Sequence, residues 1–157
     1  MSSFQDYARI SPFLWFDSNA EEAANFYISI FPNSRSLGHM RSSVDTPSAP
    51  AGAVLTVSFE LDGVKFTAMN GGPGHKFTDA ISLVVRCESQ EEIDYYWSKL
   101  TAGGSEIACG WLKDKYGLSW QIVPAHILEL IRHPKAMGAM MNMTKFDIAA
   151  LERAANS

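Results

Sequence analysis

Two amphipathic helix patterns lie seventy residues apart, and this internal repeat constrains the fold more than any other feature of the chain. Asn19-x-x-Glu22 has the form of a capping box, and so does Ser89-x-x-Glu92. After the first box come Ala23, Phe26, Tyr27 and Ile30; after the second come Ile93, Tyr96, Trp97 and Leu100. Both sets follow i, i+3, i+4, i+7, which lays one apolar stripe along a helix. Each helix follows a short apolar run, Ile10–Phe16 in one case and Ala80–Cys87 in the other. The joint register of strand, cap and stripe predicts two homologous modules joined at Gly71-Gly72-Pro73-Gly74.

The segments after each helix read as antiparallel strands. Ala53–Leu61 and Val64–Asn70 flank Asp62-Gly63, a two-residue hairpin signal. That turn sets Leu61 opposite Val64, Phe59 opposite Phe66 and Val57 opposite Ala68 on an apolar face. Glu60 with Lys65, Ser58 with Thr67, and Thr56 with Met69 fall on a mixed polar face. The apolar face is expected to meet a helix, and the other to face water or a cavity. Ser34–Met40 supplies the remaining strand of the first module, and 41–52 reads as an inserted loop. In the second module, Ser105–Lys113 and Leu118–Val123 flank Asp114-Lys115-Tyr116-Gly117, a register that sets Trp111 against Trp120 and Gly110 against Gln121. After Pro124 the pattern turns helical, over Ala125–Arg132, Lys135–Met143 and Asp147–Ala155. The expected organisation is a first βαβββ module over 1–74, a second over 75–124 and a helical extension over 125–157, forming one compact domain.

Composition narrows the function classes. The chain has 157 residues, 46% of them apolar types and 19% charged, which is globular composition. A chain of this size hides roughly two-thirds of its unfolded surface, so neither a disulfide nor a metal is required to hold it. The net charge of −4, with no basic run, weighs against a nucleic-acid partner. Apolar stretches such as Ile148–Leu151 are too short to span a bilayer, and the start MSSFQDYARI lacks the pattern of a signal peptide. Cys87 and Cys109 form no CxxC and no zinc spacing, so they read as reduced, structural thiols in a cytoplasmic protein.

Three strings carry a family resemblance: FLWFDSNAEEAANFY at 13–27, FTAMNGGPGHKFTDAISLVV at 66–85 and CGWLKDKYGLSWQIVP at 109–124. They resemble the PhnB-like branch of the vicinal-oxygen-chelate superfamily, which includes glyoxalases, bleomycin-resistance proteins and extradiol dioxygenases. Members of that branch often carry a demethylubiquinone methyltransferase label. The resemblance runs from about Ile10 to Leu151. It implies an α+β fold of two βαβββ modules forming U-shaped mixed sheets, with helices on the convex face and a shared concave cavity. It also implies a homodimer, since paired modules in this superfamily often complete each other's cavities.

Superfamily enzymes generally hold a divalent metal with His, Gln and Glu from four strands. Carried over by register, those positions fall on Ile10 or Pro12, Thr67 or Met69, Ala80 or Ser82, and Gln121. Only Gln121 is a metal ligand of any strength, so no metal site and no resident cofactor are expected. The four histidines, His39, His75, His126 and His133, show no HxH or HxxxH spacing and read as surface or capping residues. Glu60 and Lys65 read as a solvated cross-strand ion pair. Trp15, Trp97, Trp111 and Trp120 read as core, and Met137, Met140, Met141 and Met143 as core or subunit-interface packing. Class I methyltransferases receive S-adenosylmethionine at a glycine-rich strand–turn–helix. The only glycine cluster here, Gly71 to Gly74, runs through His75-Lys76-Phe77 into a strand, so methyl transfer is not expected.

What remains for a cavity is Ser58, Thr67, Met69, Ser82 and Gln121, with Gly110 leaving room beside the amide. The sequence therefore points to a small-molecule-binding protein with a polar-apolar cavity and a degenerate metal site. One alternative is a lyase, isomerase or dioxygenase type of enzyme with a displaced or metal-free site. The other is a regulatory or scaffold protein with a vestigial cavity.

Overall fold

In a computed structural model, which describes residues 3–157, Asp62 and Gly63 both take positive φ (47° and 85°). That conformation gives a tight turn whose twist matches the two strands it joins. The strands are β3 (Val54–Leu61) and β4 (Val64–Asn70), and their register is the expected one, from Leu61 opposite Val64 to Thr56 opposite Met69. With β1 (Phe13–Phe16) and β2 (Arg35–Arg41) they form a four-stranded sheet in the order β1-β4-β3-β2, in which β1 runs parallel to β4. Helix α1 (Ala20–Ile30) covers the apolar face. Its Ala20, Ala23, Ala24, Tyr27 and Ile30 are buried, as are Leu14, Phe16, Val57, Phe59, Leu61, Phe66 and Ala68 of the sheet. Tyr27 stacks on Phe59 at 6.4 Å between ring centroids, and Phe59 on Phe66 at 5.3 Å. Each such ring removed from water contributes about 1.5–3 kcal/mol.

The N-terminus of α1 is held differently from expectation. Asn19 makes no side-chain cap bond. The Ala20 N–H donates instead to Oδ1 of Asn70, 2.9 Å away at the end of β4, and Asn70 Nδ2 donates to the Val54 carbonyl. One distant amide thus ties helix, hairpin and loop end together.

The second sheet repeats the topology. It comprises β5 (Leu83–Cys87), β6 (Ser105–Glu106), β7 (Trp111–Lys113) and β8 (Ser119–Pro124) in the order β5-β8-β7-β6, with β5 parallel to β8. Helix α2 (Gln90–Thr101) packs Ile93, Tyr96, Trp97 and Leu100 onto Leu112, Trp120 and Ile122. Here the serine half of the capping box forms, Ser89 Oγ accepting from the Glu92 N–H at 3.2 Å, while Glu92 Oε1 reaches one residue further back and accepts from the Glu88 N–H at 2.8 Å.

Two expectations for this sheet are corrected. The segment 105–113 is not one strand, because Cys109 (φ 60°) and Gly110 (φ 80°) turn the chain between β6 and β7. Their N–H groups donate to the carbonyls of Met143 and Thr144, both at 2.8 Å, so the C-terminal segment takes bonds that a continuous strand would have made. The β7–β8 register is also offset by one residue: Trp111 lies opposite Gln121, and Leu112 opposite Trp120.

Helices α3 (Ile127–Leu130), α4 (Pro134–Met141) and α5 (Ile148–Ala155) follow β8. Pro134 opens α4, where a missing N–H costs nothing. Gln90 fastens this extension to α2, donating to the Phe146 carbonyl and accepting from the Ile148 N–H, both at 2.9 Å. Lys145 pairs with Asp94 at 2.7 Å, and its hydrogen bond, aided by Gln90, holds the Asp94 carboxyl below its ordinary range. The chain divides into two compact units after Lys76, close to the expected glycine linker. The extension belongs to the second unit.

Candidate functional site

The polar face of the first sheet carries a cleft. Its floor is Thr56 and Ser58 of β3 with Thr67 of β4, and its walls are Phe13, Met40, Phe4 and Tyr7. The volume is about 170 Å³. Ser58 and Thr67 are directly opposite in register, and each is only 4% exposed. The segment before β1 folds over this face. Tyr7 donates its phenol to the Phe66 carbonyl at 3.1 Å, and the Thr67 hydroxyl donates to the Tyr7 oxygen at 3.4 Å. Lys65 Nζ donates to the Asp6 carbonyl at 2.8 Å. Phe4 packs edge-on against Tyr7 at 5.2 Å. A second lobe, lined by Tyr7, Arg9, Ile10, Ser11 and Phe13 among others, shares Phe4, Tyr7 and Phe13 with the first.

Ser58 and Thr67 are thus brought together as the sequence suggests. Met69 sits half-buried at the far end of the same strand, opposite Trp15 and Thr56, outside the cleft lining. Phe4, Tyr7, Phe13 and Met40 were not expected there. No periodicity marks 3–11, and a roof laid over a sheet leaves no signal in local pattern.

The polar face of the second sheet joins Gln121 to Ser82, whose Oγ accepts from Nε2 at 2.9 Å. Beside them Lys113 Nζ lies 3.0 Å from Asp79 Oδ1, which also accepts from the buried Ser119 hydroxyl at 3.3 Å. Gly110 does not leave room beside Gln121. A Cβ on Gly110 would stand 2.6 Å from the Phe146 ring, so the space over this glycine belongs to the C-terminal segment.

Other expectations are also revised. Trp97 and Trp120 are core, but Trp15 and Trp111 are half-buried on the sheet faces away from the helices, Trp15 alternating with buried Leu14 and Phe16. The Trp15 indole N–H donates to the Gly72 carbonyl at 2.9 Å, its ring fills the space beside Gly71, and His75 packs edge-on against it at 4.7 Å. Glu60 and Lys65 are cross-strand neighbours, yet Glu60 pairs with Arg35 at 3.7 Å while Lys65 bonds the Asp6 carbonyl. Met137 and Met141 are exposed on α4, whereas Leu151 is fully buried.

The positions to which the resemblance carries a metal site are Thr67 or Met69 on β4, Gln121 on β8, Ala80 or Ser82 just before β5, and Ile10 or Pro12 before β1. A catalytic divalent ion ordinarily needs about three imidazole, carboxylate or thiolate ligands. Among the described residues no three His, Cys, Asp or Glu side chains gather in such a group. The residues present do not fit such an ion. S-adenosylmethionine fits no better: the strand-to-helix connections are Asp17-Ser18-Asn19 and Glu88-Ser89, without glycine, while Gly71 and Gly72 are packed against Trp15 and lead to no helix.

The buried Cys87 thiol is pushed up to about 12 by loss of hydration, reinforced by Glu92 and Glu88. A thiol so placed stays protonated at neutral pH and is no nucleophile. Alkylation of the native protein at pH 8 should leave Cys87 unmodified and label at most Cys109; mass mapping that finds Cys87 labelled at the rate of unfolded protein would contradict this burial. Since the unfolded thiol ionises first, this group favours folding least as pH rises from about 9 toward 12.

A sequence model of the 3-demethylubiquinone-9 3-methyltransferase family matches residues 8–123. A PhnB protein of Bacillus cereus is 38% identical, with a TM-score of 0.67 over 75% of this chain and all of that one. A protein of Pseudomonas aeruginosa is 17% identical with a TM-score of 0.61, covering 74% of this chain and 97% of its own. A fosfomycin-resistance protein of Listeria monocytogenes, 18% identical with a TM-score of 0.50 over 79% and 94% of the two chains, shares the fold. No curated protein sequence matches the chain. Two βαβββ modules at seventy-residue spacing, the family match over residues 8–123 and the identity to the Bacillus protein together make this chain a member of the PhnB-like family that bears the 3-demethylubiquinone-9 3-methyltransferase name.

Proposed function

We propose that the protein binds a small organic molecule on the polar face of its first sheet. The observation that carries this is the roofed cleft of about 170 Å³, with three hydroxyls on its floor and aromatic walls. Concave sites with apolar walls and a few fixed polar groups are where proteins hold small ligands. Ser58 and Thr67 are the floor contacts. Ser82 and Gln121 form a separate polar pair on the second sheet, and Met69 a neighbour of the first; Gly110 drops out. The chemistry on offer is hydrogen bonding and packing rather than metal-assisted or methyl transfer, because neither donor set described above suits those groups.

The same proposal has the protein as a cytoplasmic homodimer that binds no nucleic acid. The free thiols, the net charge of −4 and the exposed Leu128, Met137 and Met141 on the C-terminal helices support it.

A fragment screen read by amide chemical shifts tests the site. Hits should perturb Phe13, Thr56, Ser58 and Thr67, and Thr56→Trp, which fills the cleft, should abolish their shifts. Hits that map only to Ser82 and Gln121, or that persist in Thr56→Trp, would refute the location. Light scattering at micromolar concentration should give twice the 17.3 kDa of one chain, and the mass of a single chain would remove the dimer.

A further inference from the structure

Ser58 presents its hydroxyl to the cleft. It is 4% exposed, it lines the cleft, and its Oγ meets no hydrogen-bonding group among the described residues. Its neighbour Thr67 is already engaged with Tyr7, and Tyr7 with the Phe66 carbonyl. Among the described residues the buried side-chain polar atom left without a partner is His133 Nδ1, not Ser58 Oγ, so the Ser58 hydroxyl is reached from the cleft and can exchange water for a ligand group. Ser58 therefore has both a donor and an acceptor to offer to whatever enters.

Neither lobe of the cleft is lined by an aspartate or a glutamate, in a chain whose acidic residues outnumber its basic ones by 17 to 13. The adjoining lobe contains Arg9, which forms no ion pair or hydrogen bond with any described residue. Lys65 adds positive charge close by, 6.0 Å from the centre of the Tyr7 ring. Phe4, Tyr7 and Phe13 line both lobes, so the two depressions lie around the same three rings.

We infer that the ligand is a small organic acid with a flat apolar body and a hydroxyl or carbonyl at the end away from its carboxylate. The carboxylate lies toward Arg9, the body against Phe4 and Phe13, and the far oxygen bonds Ser58. This rests on the cleft proposed above as the binding site and assigns its two ends. An exposed arginine attracts an anion in a salt-dependent way, and its fork geometry suits a carboxylate.

Four probes separate the two contacts: 4-hydroxyphenylacetate, phenylacetate and the two corresponding amides, titrated against full-length protein by calorimetry or NMR. The hydroxy acid should bind tightest. Replacing carboxylate by amide should weaken binding about three- to tenfold at low salt, and Arg9→Gln or 0.5 M salt should erase that difference. Removing the hydroxyl should weaken binding about two- to tenfold, a difference lost in Ser58→Ala but kept in Arg9→Gln. Equal affinity for acid and amide in the wild-type protein would overturn the assignment of Arg9. An unchanged hydroxyl effect in Ser58→Ala would overturn that of Ser58. Failure of all four probes to bind overturns this ligand class while the fragment screen still decides whether the cleft is a site. Amide exchange in the floor strands of each variant confirms that the sheet is intact.

Discussion

Replacing Asp114 by alanine should destabilise the second unit by about 3–5 kcal/mol, a large part of the stability of an ordinary domain. Asp114 is 2% exposed and stands at the corner of the β7–β8 hairpin. Its Oδ1 accepts from the N–H groups of Tyr116 and Leu118 at 2.8 and 3.1 Å, and its Oδ2 accepts from the indole N–H of Trp120 at 2.9 Å. Alanine leaves all three donors without that acceptor, and each stranded donor costs about 1–3 kcal/mol when water cannot reach it. Asparagine provides a control. It keeps one oxygen for the turn but sets its amide N–H₂ against the Trp120 N–H, donor facing donor. Its cost should therefore fall between zero and that of alanine, at about 1–3 kcal/mol. Urea unfolding followed by tryptophan emission measures both. A loss below about 1 kcal/mol for the alanine variant would mean that the carboxylate does not hold this corner.

Gly110→Ala should cost about 2–4 kcal/mol, from two causes that add. At φ 80° an L side chain is strained, and the new Cβ would lie 2.6 Å from a carbon of the buried Phe146 ring. The ring cannot retreat freely, because the Phe146 carbonyl is bonded to Gln90. The expected result is loss of protection in the 143–148 segment before the rest of the unit, read by hydrogen exchange. Phe146→Ala alone should cost about 3–5 kcal/mol, yet less than that in the Gly110→Ala background, where the clash has gone. Strict additivity of the two changes would show that the glycine and the ring do not meet.

The seventy-residue repeat was enough to place both helices and most strands, because apolar spacing along a helix or hairpin is a local property. The Asp62-Gly63 turn specified its register to the residue, since a two-residue loop leaves no freedom in pairing. The longer turn at Asp114 to Gly117 did leave that freedom, and the register inferred there was one residue out. Asn19 illustrates the same limit: its sequence context is that of a cap, but its side chain makes no cap bond, and Asn70, fifty residues away from Ala20, accepts from the first N–H of the helix.

For the site, alternation along β3 and β4 was sufficient to put Ser58 and Thr67 side by side on the face away from α1. Ser82 and Gln121 also came together as a bonded pair, although the partner expected opposite Gln121 was the wrong one. The roof formed by Phe4 and Tyr7, the unbonded state of Ser58 and the Phe146 ring over Gly110 are long-range facts. Side-chain period, turn length and capping residues determine which face of each element is apolar, because these act within a few residues. Which distant segment then covers a face, and which hydroxyl on that face the segment leaves unbonded, depends on parts of the chain that meet only in the folded state, and the tertiary structure alone decides it.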